Sequence, residues 1–172
     1  LAERVLGAAK VESFNRLCDI DPTLIEEVAH PLRGQGYDFP VKLYAGDFVT
    51  DDTGTGFVHI APGHGADDYG LYLSNQRSFR EAGIEGVPQT VKEDGYYHAD
   101  VPLFGGDEPA LVINQKGKFG DANKRVIDAL AEAGALMARG KLRHSYPHSW
   151  RSKAPVIFRA TPQWFIPIDK PI

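Results

Sequence analysis

The chain carries the stretch G-T-G-F-V-H-I-A-P-G-H-G-A-D-D-Y at residues 54–69, which brings histidines, carboxylates and glycines together. Its apolar run at 57–61 alternates around His59 and predicts a β-strand. A glycine-rich turn follows, and Asp67 and Asp68 then stand at the start of an apolar helical pattern. An imidazole and carboxylates beside a flexible backbone are the components of a small polar pocket, so this stretch predicts a functional site.

The length of 172 residues fits one domain that can bury its core without disulfides. Cys18 is the sole cysteine, which excludes an internal disulfide and a cysteine-based zinc site, and we expect a reducing, cytoplasmic setting. No apolar run approaches the roughly 18 residues of a membrane span, so no membrane partner is expected. The chain starts at Leu1 without a signal peptide, and we expect it to be a piece of a longer protein.

Short strand patterns interspersed with helical ones predict an α+β fold, with a small β-barrel-like sheet core and flanking helices. Helices are predicted at 1–9, 67–80 and 121–136, with a helical turn at 21–27. Strands are predicted on both sides of a turn at 45–47 and at 57–61, 87–91, 95–98, 141–146 and 154–159. The Gly- and Pro-rich residues 77–118 are predicted to form a loop-rich insertion with a small hairpin.

The net charge of −4 gives the chain no general attraction for nucleic acid. The charge is unevenly distributed, because no carboxylate occurs between Glu132 and Asp169. That stretch carries the cations Arg139, Lys141, Arg143, Arg151, Lys153 and Arg159. A local basic face can bind phosphates even on an acidic domain, and a solvated surface without a ligand is the alternative interpretation.

The motif also has interpretations that involve no chemistry. Its glycines lack the G-K-[ST] of a phosphate-binding P-loop and precede a strand, which favours a hairpin turn. His59 faces away from its apolar neighbours and so lines either a polar cleft or solvent, while His64 suits a loop hydrogen bond. The spacing H-x4-H-x2-D-D is not a common zinc pattern, and no metal is expected. Asp67 and Asp68 both suit a first helical turn, and spacing alone does not choose between them.

This stretch resembles the signature of the editing domain of isoleucyl-tRNA synthetases, an insertion in a class I synthetase. The string H-S-Y-P-H-S-W-R-S-K-A-P-V-I-F-R-A-T-P-Q-W-F at 144–165 resembles the segment where that insertion returns to the nucleotide-binding core. The string K-F-G-D-A-N-K-R-V-I-D-A-L-A-E-A-G-A-L resembles the helix before it. The resemblance implies the editing-domain fold for 1–160, N-terminally truncated, and the start of a return linker at 161–172.

The resemblance implies hydrolysis of valine wrongly attached to isoleucine tRNA, by direct attack of water on the ester. Asp68 matches the aspartate that pairs with the α-ammonium group of the misattached amino acid. His59 matches the histidine that lines and limits the side-chain pocket. Thr55, Gly56 and Phe57 are expected along the same wall. Contacts to the acceptor end of the tRNA are expected from Lys141, Arg143, Arg151 and Lys153.

The chain lacks other parts of the family pattern. It has no T-T-T-P run, which in the family holds the water and the terminal adenosine, and no H-I-G-H or K-M-S-K-S signature for ATP. ATP and magnesium are therefore expected only in the synthetic core of the parent enzyme, and no cofactor is expected in this domain. The rest of the synthetase chain is an expected partner. The rival interpretations are a tRNA-binding or structural module without chemistry, a valyl-type editing domain and a metal-dependent hydrolase.

Overall fold

The structure is a computed structural model that describes residues 2–21, 24–50, 52, 55–141, 143, 145–166 and 168–169. Within these ranges the elements are α1 (Ala2–Ala8), β1 (Glu27–Ala29), β2 (Pro40–Lys42), α2 (Ala66–Ser74), α3 (Gln76–Glu81) and α4 (Ala122–Glu132). The α+β class is confirmed. The chain divides into two compact units, one from Leu1–His59 and Thr90–Val156 and the other from Ile60–Gln89 and Ile157–Ile172. None of the described helices is long and apolar enough to cross a bilayer.

The sheet of the first unit has two strands and does not close into a barrel-like core. β1 and β2 are antiparallel, and Val28 lies opposite Val41. The segment 57–61, expected as a further strand, has no regular structure. Alternating side chains favour a strand, but the strand forms only where a neighbouring segment pairs with its backbone groups, and no described strand pairs with 57–61. The expected barrel-like sheet is therefore wrong for the described part of the chain.

Other expected strands shorten to turns or single bridges. After β2, the Val49 N–H donates to the Gly46 carbonyl over 3.0 Å, which makes a turn where a second strand was expected. Neither 141–146 nor 154–159 forms a strand among its described residues. The two segments are joined by the Tyr146 hydroxyl, which donates to the Val156 carbonyl over 2.7 Å, and Pro155 forms a single bridge with His148 just beyond the first segment. Leu142 and His144 lie outside the described residues, as do Pro22 and Thr23 of the expected helical turn and Asp51, Thr53 and Gly54 of the glycine-rich turn. Prolines lack the N–H that a longer ladder needs, which limits pairing around Pro155.

The core of the first unit lies under α4. Leu32, Phe104, Ala110 and Ala122 form its buried cluster, and α4 adds the partly buried Val126, Ala129 and Leu130. These α4 positions recur at the spacing of one helical face, as the sequence predicts. The helix ends where Gly134 adopts a φ of 66°, a left-handed conformation that glycine accepts without strain.

The carboxylate of Asp121 accepts the Leu111 N–H over 2.9 Å and so connects the start of α4 to the preceding segment. This hydrogen bond lowers the pKa of Asp121.

The loop-rich stretch 77–118 contributes much of that core. Val91, Phe104, Ala110 and Ile113 are buried within it. The hairpin expected there is confirmed in short form: Val91 pairs with Tyr97, and the Lys92 N–H donates to the Tyr96 carbonyl over 2.8 Å. Irregular backbone can therefore supply apolar side chains to a core where turns satisfy its polar groups.

The helix expected at 67–80 is split into α2 and α3 in the second unit. Asn75 lies between them, with φ −118° and ψ 18°, and its side-chain amide donates to the Leu71 carbonyl over 2.9 Å. The same Leu71 carbonyl also accepts the Asn75 N–H over 3.1 Å, and α2 ends here because the backbone of Asn75 leaves the helical φ/ψ region. The two short helices stay together through ring contacts, with Tyr72 edge-on to Phe79 at 5.1 Å between centroids.

We predict that Gly95→Ala destabilises the first unit more than Gly106→Ala. Both glycines have positive φ, 85° and 77°, so both variants pay the left-handed cost of about 1–2 kcal/mol. A Cβ at Gly95 would lie 2.0 Å from the Ile113 carbonyl oxygen, whereas a Cβ at Gly106 meets nothing within 4 Å. The overlap should lower the free energy of unfolding of Gly95→Ala by about 1–3 kcal/mol more than that of Gly106→Ala, as measured by urea unfolding. Equal midpoints for the two variants would contradict the packing around Gly95.

Candidate functional site

Asp68 is held against the loop that precedes its own helix. Its carboxylate accepts the Ala61 N–H over 3.0 Å, and its position in the first turn of α2 suits a negative charge. A Cβ at Gly65 would lie 2.7 Å from this carboxylate, so glycine at the N-cap leaves room for it. Asp67 is exposed, whereas Asp68 is partly buried. The structure therefore distinguishes two carboxylates that sequence spacing leaves equivalent.

The turn at 61–65 is joined to the segment 157–160 by two hydrogen bonds. The Ala160 N–H donates to the Gly63 carbonyl over 2.7 Å, and Nδ1 of His64 lies 2.9 Å from the Phe158 carbonyl oxygen. Because a carbonyl oxygen only accepts, Nδ1 carries the proton of this bond. Gly63 is buried, and a Cβ there would lie 2.6 Å from the Pro88 carbonyl oxygen. The loop hydrogen bond expected for His64 is thus present.

Thr55, Gly56 and Phe57, which are expected along the pocket wall, form a compact turn in the first unit. The hydroxyl of Thr55 donates to the Phe57 carbonyl over 3.0 Å and accepts the Phe57 N–H over 3.2 Å. Gly56 has a φ of 77° between them. Phe57 is 70% exposed, and His59 is also exposed. His59 belongs to the first unit and Asp68 to the second, and their convergence on one substrate stays a prediction.

The four cations expected to contact tRNA are all exposed: Lys141, Arg143, Arg151 and Lys153. Arg151 and Lys153 lie in a turn whose base is the bridge between His148 and Pro155. The guanidinium of Arg151 lies 5.1 Å from the centroid of the Trp150 ring. These side chains are therefore accessible to an anionic partner.

A groove of about 320 Å³ in the first unit has no counterpart in the sequence analysis. His30 follows β1 and Phe39 precedes β2, and Tyr37 stacks on His30 with 4.6 Å between ring centroids. Burial lowers the pKa of His30, and the charge of His59 lowers it further. The pairing of β1 with β2 and the hydrogen-bonded turn between them bring these rings together. The spacing H-x6-Y-x-F does not reveal this contact in advance.

The described part of the chain holds no group of three or more His, Cys, Asp or Glu side chains arranged to bind a metal. One histidine and one aspartate of the motif are engaged in local hydrogen bonds instead. His64 bonds to a backbone carbonyl, and Asp68 accepts a backbone N–H. What the motif provides is a carboxylate fixed at a helix start, beside a turn that is tied down at two points.

Comparison with known sequences identifies the relatives of the chain. No model of a known protein family matches it. It is 53% identical, over its whole length, to "Isoleucine--tRNA ligase" of Rhodopseudomonas palustris and 51% identical to that of Bradyrhizobium diazoefficiens. The Brucella abortus protein of the same name is 49% identical over 99% of the chain. The chain belongs to the isoleucine–tRNA ligase family.

The chain spans 17% of the length of the first two ligases, so it corresponds to one segment of such an enzyme. The resemblance drawn from the motif at 54–69 and from the return segment at 144–165 is confirmed at the level of this family. The isoleucine ligases match across both stretches, because their similarity covers all or nearly all of the chain.

We predict that His64→Asn preserves the connection of the turn to 157–160 and that His64→Gln loses it. The amide nitrogen of asparagine takes about the place of Nδ1, whereas that of glutamine lies farther out. Losing the bond should cost about 1 kcal/mol locally, which makes exchange of the Ala160 N–H about fivefold faster. The measurement is the hydrogen-exchange rate of the Ala160 N–H, which donates to the Gly63 carbonyl over 2.7 Å. Unchanged exchange in both variants would show that the imidazole does not hold the turn.

Proposed function

We propose that this segment is the editing region of an isoleucine–tRNA ligase, which hydrolyses valine wrongly esterified to isoleucine tRNA. The observation that carries the proposal is the Asp68 carboxylate, fixed by the Ala61 N–H at the start of α2. An ionised carboxylate accepts at about four lone-pair sites, so one backbone donor leaves capacity for an ammonium group. A free α-amino group distinguishes an aminoacyl ester from most other esters, and we assign its recognition to Asp68.

A physical need for editing supports this function. Isoleucine and valine differ by one methylene, which a hydrophobic pocket distinguishes by only about 1–3 kcal/mol, a range established on this family of ligases. A single synthetic site therefore charges some tRNA with valine. A second site that admits valine and excludes isoleucine removes the error. We assign the exclusion to His59, whose ring limits the length of the side chain that fits.

The chemistry needs water and a positioned ester. The α-ammonium of the misattached valine binds Asp68 through a charge-assisted hydrogen bond, which fixes the ester carbonyl. Water attacks the carbonyl carbon, and the bond from that carbon to the ribose oxygen breaks. The water proton passes to the ribose oxygen, so the products are valine and tRNA with a free 3′ end. Binding at the acceptor end is assigned to Lys141, Arg143, Arg151 and Lys153, all exposed.

A tRNA-binding module without chemistry is the second candidate. The exposed cations of a stretch without carboxylates favour it, because they require only phosphates as partners. The two candidates differ in one measurable property, which is deacylation. A chimeric ligase, in which this chain replaces the matching segment of the Rhodopseudomonas palustris relative, allows that property to be measured.

We predict that Asp68→Asn lowers deacylation of valyl-tRNA by the chimera about 100-fold, because a buried or partly buried charge partner is worth about 2–5 kcal/mol. The amide oxygen of asparagine still accepts the Ala61 N–H, so the turn persists while the charge is lost. Asp67→Asn is the matched control, since Asp67 is exposed in the same helical turn, and its rate should stay within about twofold.

Isoleucine attachment by the same variants reports on folding of the chimera and should not change. Equal rates for Asp68→Asn and Asp67→Asn would remove Asp68 from the mechanism. A chimera that attaches isoleucine and binds tRNA but never deacylates valyl-tRNA would support the binding module instead.

His59→Ala should relax the specificity of the editing step. Removal of the imidazole enlarges the pocket, so correctly charged isoleucyl-tRNA becomes a substrate while valyl-tRNA is still hydrolysed. The measurement is the rate of isoleucyl-tRNA deacylation divided by the rate of valyl-tRNA deacylation, and we expect this ratio to rise at least tenfold. Phe57→Ala is a comparison at a neighbouring position of the same wall. An unchanged ratio in His59→Ala would refute the sieving role.

A further inference from the structure

The turn at 148–155 is braced by its own backbone and hydroxyl groups. Its base is the bridge between His148 and Pro155, where the Ser149 N–H donates to the Ala154 carbonyl over 2.9 Å. The Lys153 N–H returns to the Ser149 carbonyl over 2.9 Å. The Ser149 and Ser152 hydroxyls accept the N–H groups of Ser152 and Ala154, each over 3.3 Å, so the backbone of the turn is hydrogen-bonded up to its tip.

The tip of this turn presents an aromatic ring between cations. Trp150 is 77% exposed, and Arg151 and Lys153 beside it are exposed too. The Arg151 guanidinium lies 5.1 Å from the centroid of the indole, so it stabilises the ring by a cation–π contact while most of the ring stays accessible. A tryptophan exposed to this degree gains little burial energy from the fold, and its accessible ring offers an aromatic face to a partner.

The charge around the tip favours an anionic partner. No carboxylate occurs from residue 133 to residue 168, although the whole chain has a net charge of −4. A flat aromatic face combined with cations is the combination by which proteins bind unpaired nucleotides, with bases on the ring and phosphates on the cations. Bases inside a duplex are already stacked on each other, so such a platform selects single strands.

We propose that the turn at 148–155 is a stacking platform for the unpaired 3′ end of tRNA. Trp150 takes a base on its exposed face, and Arg151 and Lys153 contact the flanking phosphates. The assignment rests on the tRNA-binding part of the proposed function and not on the hydrolysis step. It adds Trp150 to that function, as a residue that binds the strand by aromatic stacking on a base rather than by charge.

The chain contains a matched control in its other tryptophan. Trp164 is 100% exposed, but it lies in the run T-P-Q-W-F-I, which has no cation. If exposure alone made a tryptophan bind RNA, replacement of either ring would weaken binding. If binding also needs the cations of the turn, only replacement of Trp150 weakens it.

The test measures binding of two uncharged RNA minihelices to the 172-residue chain, one with an unpaired 3′ overhang ending in CCA and one blunt. In a Trp164→Phe background the overhang should quench the fluorescence of Trp150, and the blunt RNA should not. Trp150→Leu should weaken binding of the overhang about tenfold or more, while Trp150→Phe keeps most of it. Trp164→Leu should bind like the unaltered chain.

Salt dependence separates the ring from the cations. The slope of log K against log salt is negative, and Arg151→Gln should reduce its magnitude by about 0.7, the value for one phosphate contact on a single strand, while Trp150→Leu leaves it unchanged. Equal affinity for both minihelices, unchanged affinity in Trp150→Leu, or absence of binding by the unaltered chain would each overturn the proposal.

Because the RNA carries no amino acid, failure of valine deacylation in the chimera would leave this result standing. Loss of Trp150-dependent binding would likewise leave the role of Asp68 untouched. The two proposals can therefore fail separately.

Discussion

The hydrogen bond from the Ala61 N–H to the Asp68 carboxylate is the contact on which the candidate site depends. It joins the turn at 61–65 to the first turn of α2, and it does so over 3.0 Å with a charged acceptor, which makes it stronger than a neutral pair. The turn itself is connected to 157–160 through Gly63 and His64. A carboxylate held in this way loses little further freedom when it binds an ammonium group, which is the physical basis of preorganisation.

The first unit achieves its packing by a different route. Ala110 is fully buried, and the residues around it come from a stretch dominated by turns rather than by strands. α4 covers this stretch with one apolar face, and Asp121 attaches the start of the helix to Leu111. The order of the unit therefore depends on hydrogen-bonded turns around a small apolar cluster. Such a core tolerates little added volume at its closest approaches, such as that of Gly95 to Ile113.

The part of the site predicted from sequence rests on local chemistry. Asp68 and Asp67 were expected in a first helical turn, and α2 begins at Ala66 as that expectation requires. The barrel-like sheet was wrong because the pattern at 57–61 describes only side chains, while pairing depends on a second segment elsewhere in the chain. The helix at 67–80 was predicted as continuous because its apolar spacing continues past Asn75. The helix is interrupted by the backbone of Asn75, whose φ and ψ leave the helical region, and the apolar spacing carries no sign of this change.

The sequence by itself determined the family of the chain, the amphipathic α4 and its termination just before Gly134, and the basic stretch without carboxylates. Each of these follows from residue identity or from contacts a few positions apart, so it can be read along the chain. Tertiary structure decided which of the two adjacent aspartates bonds the loop, that His64 reaches Phe158, and that His30 stacks on Tyr37. Those contacts depend on how separate backbone segments pack in three dimensions, and the order of residue types along the chain does not specify that packing.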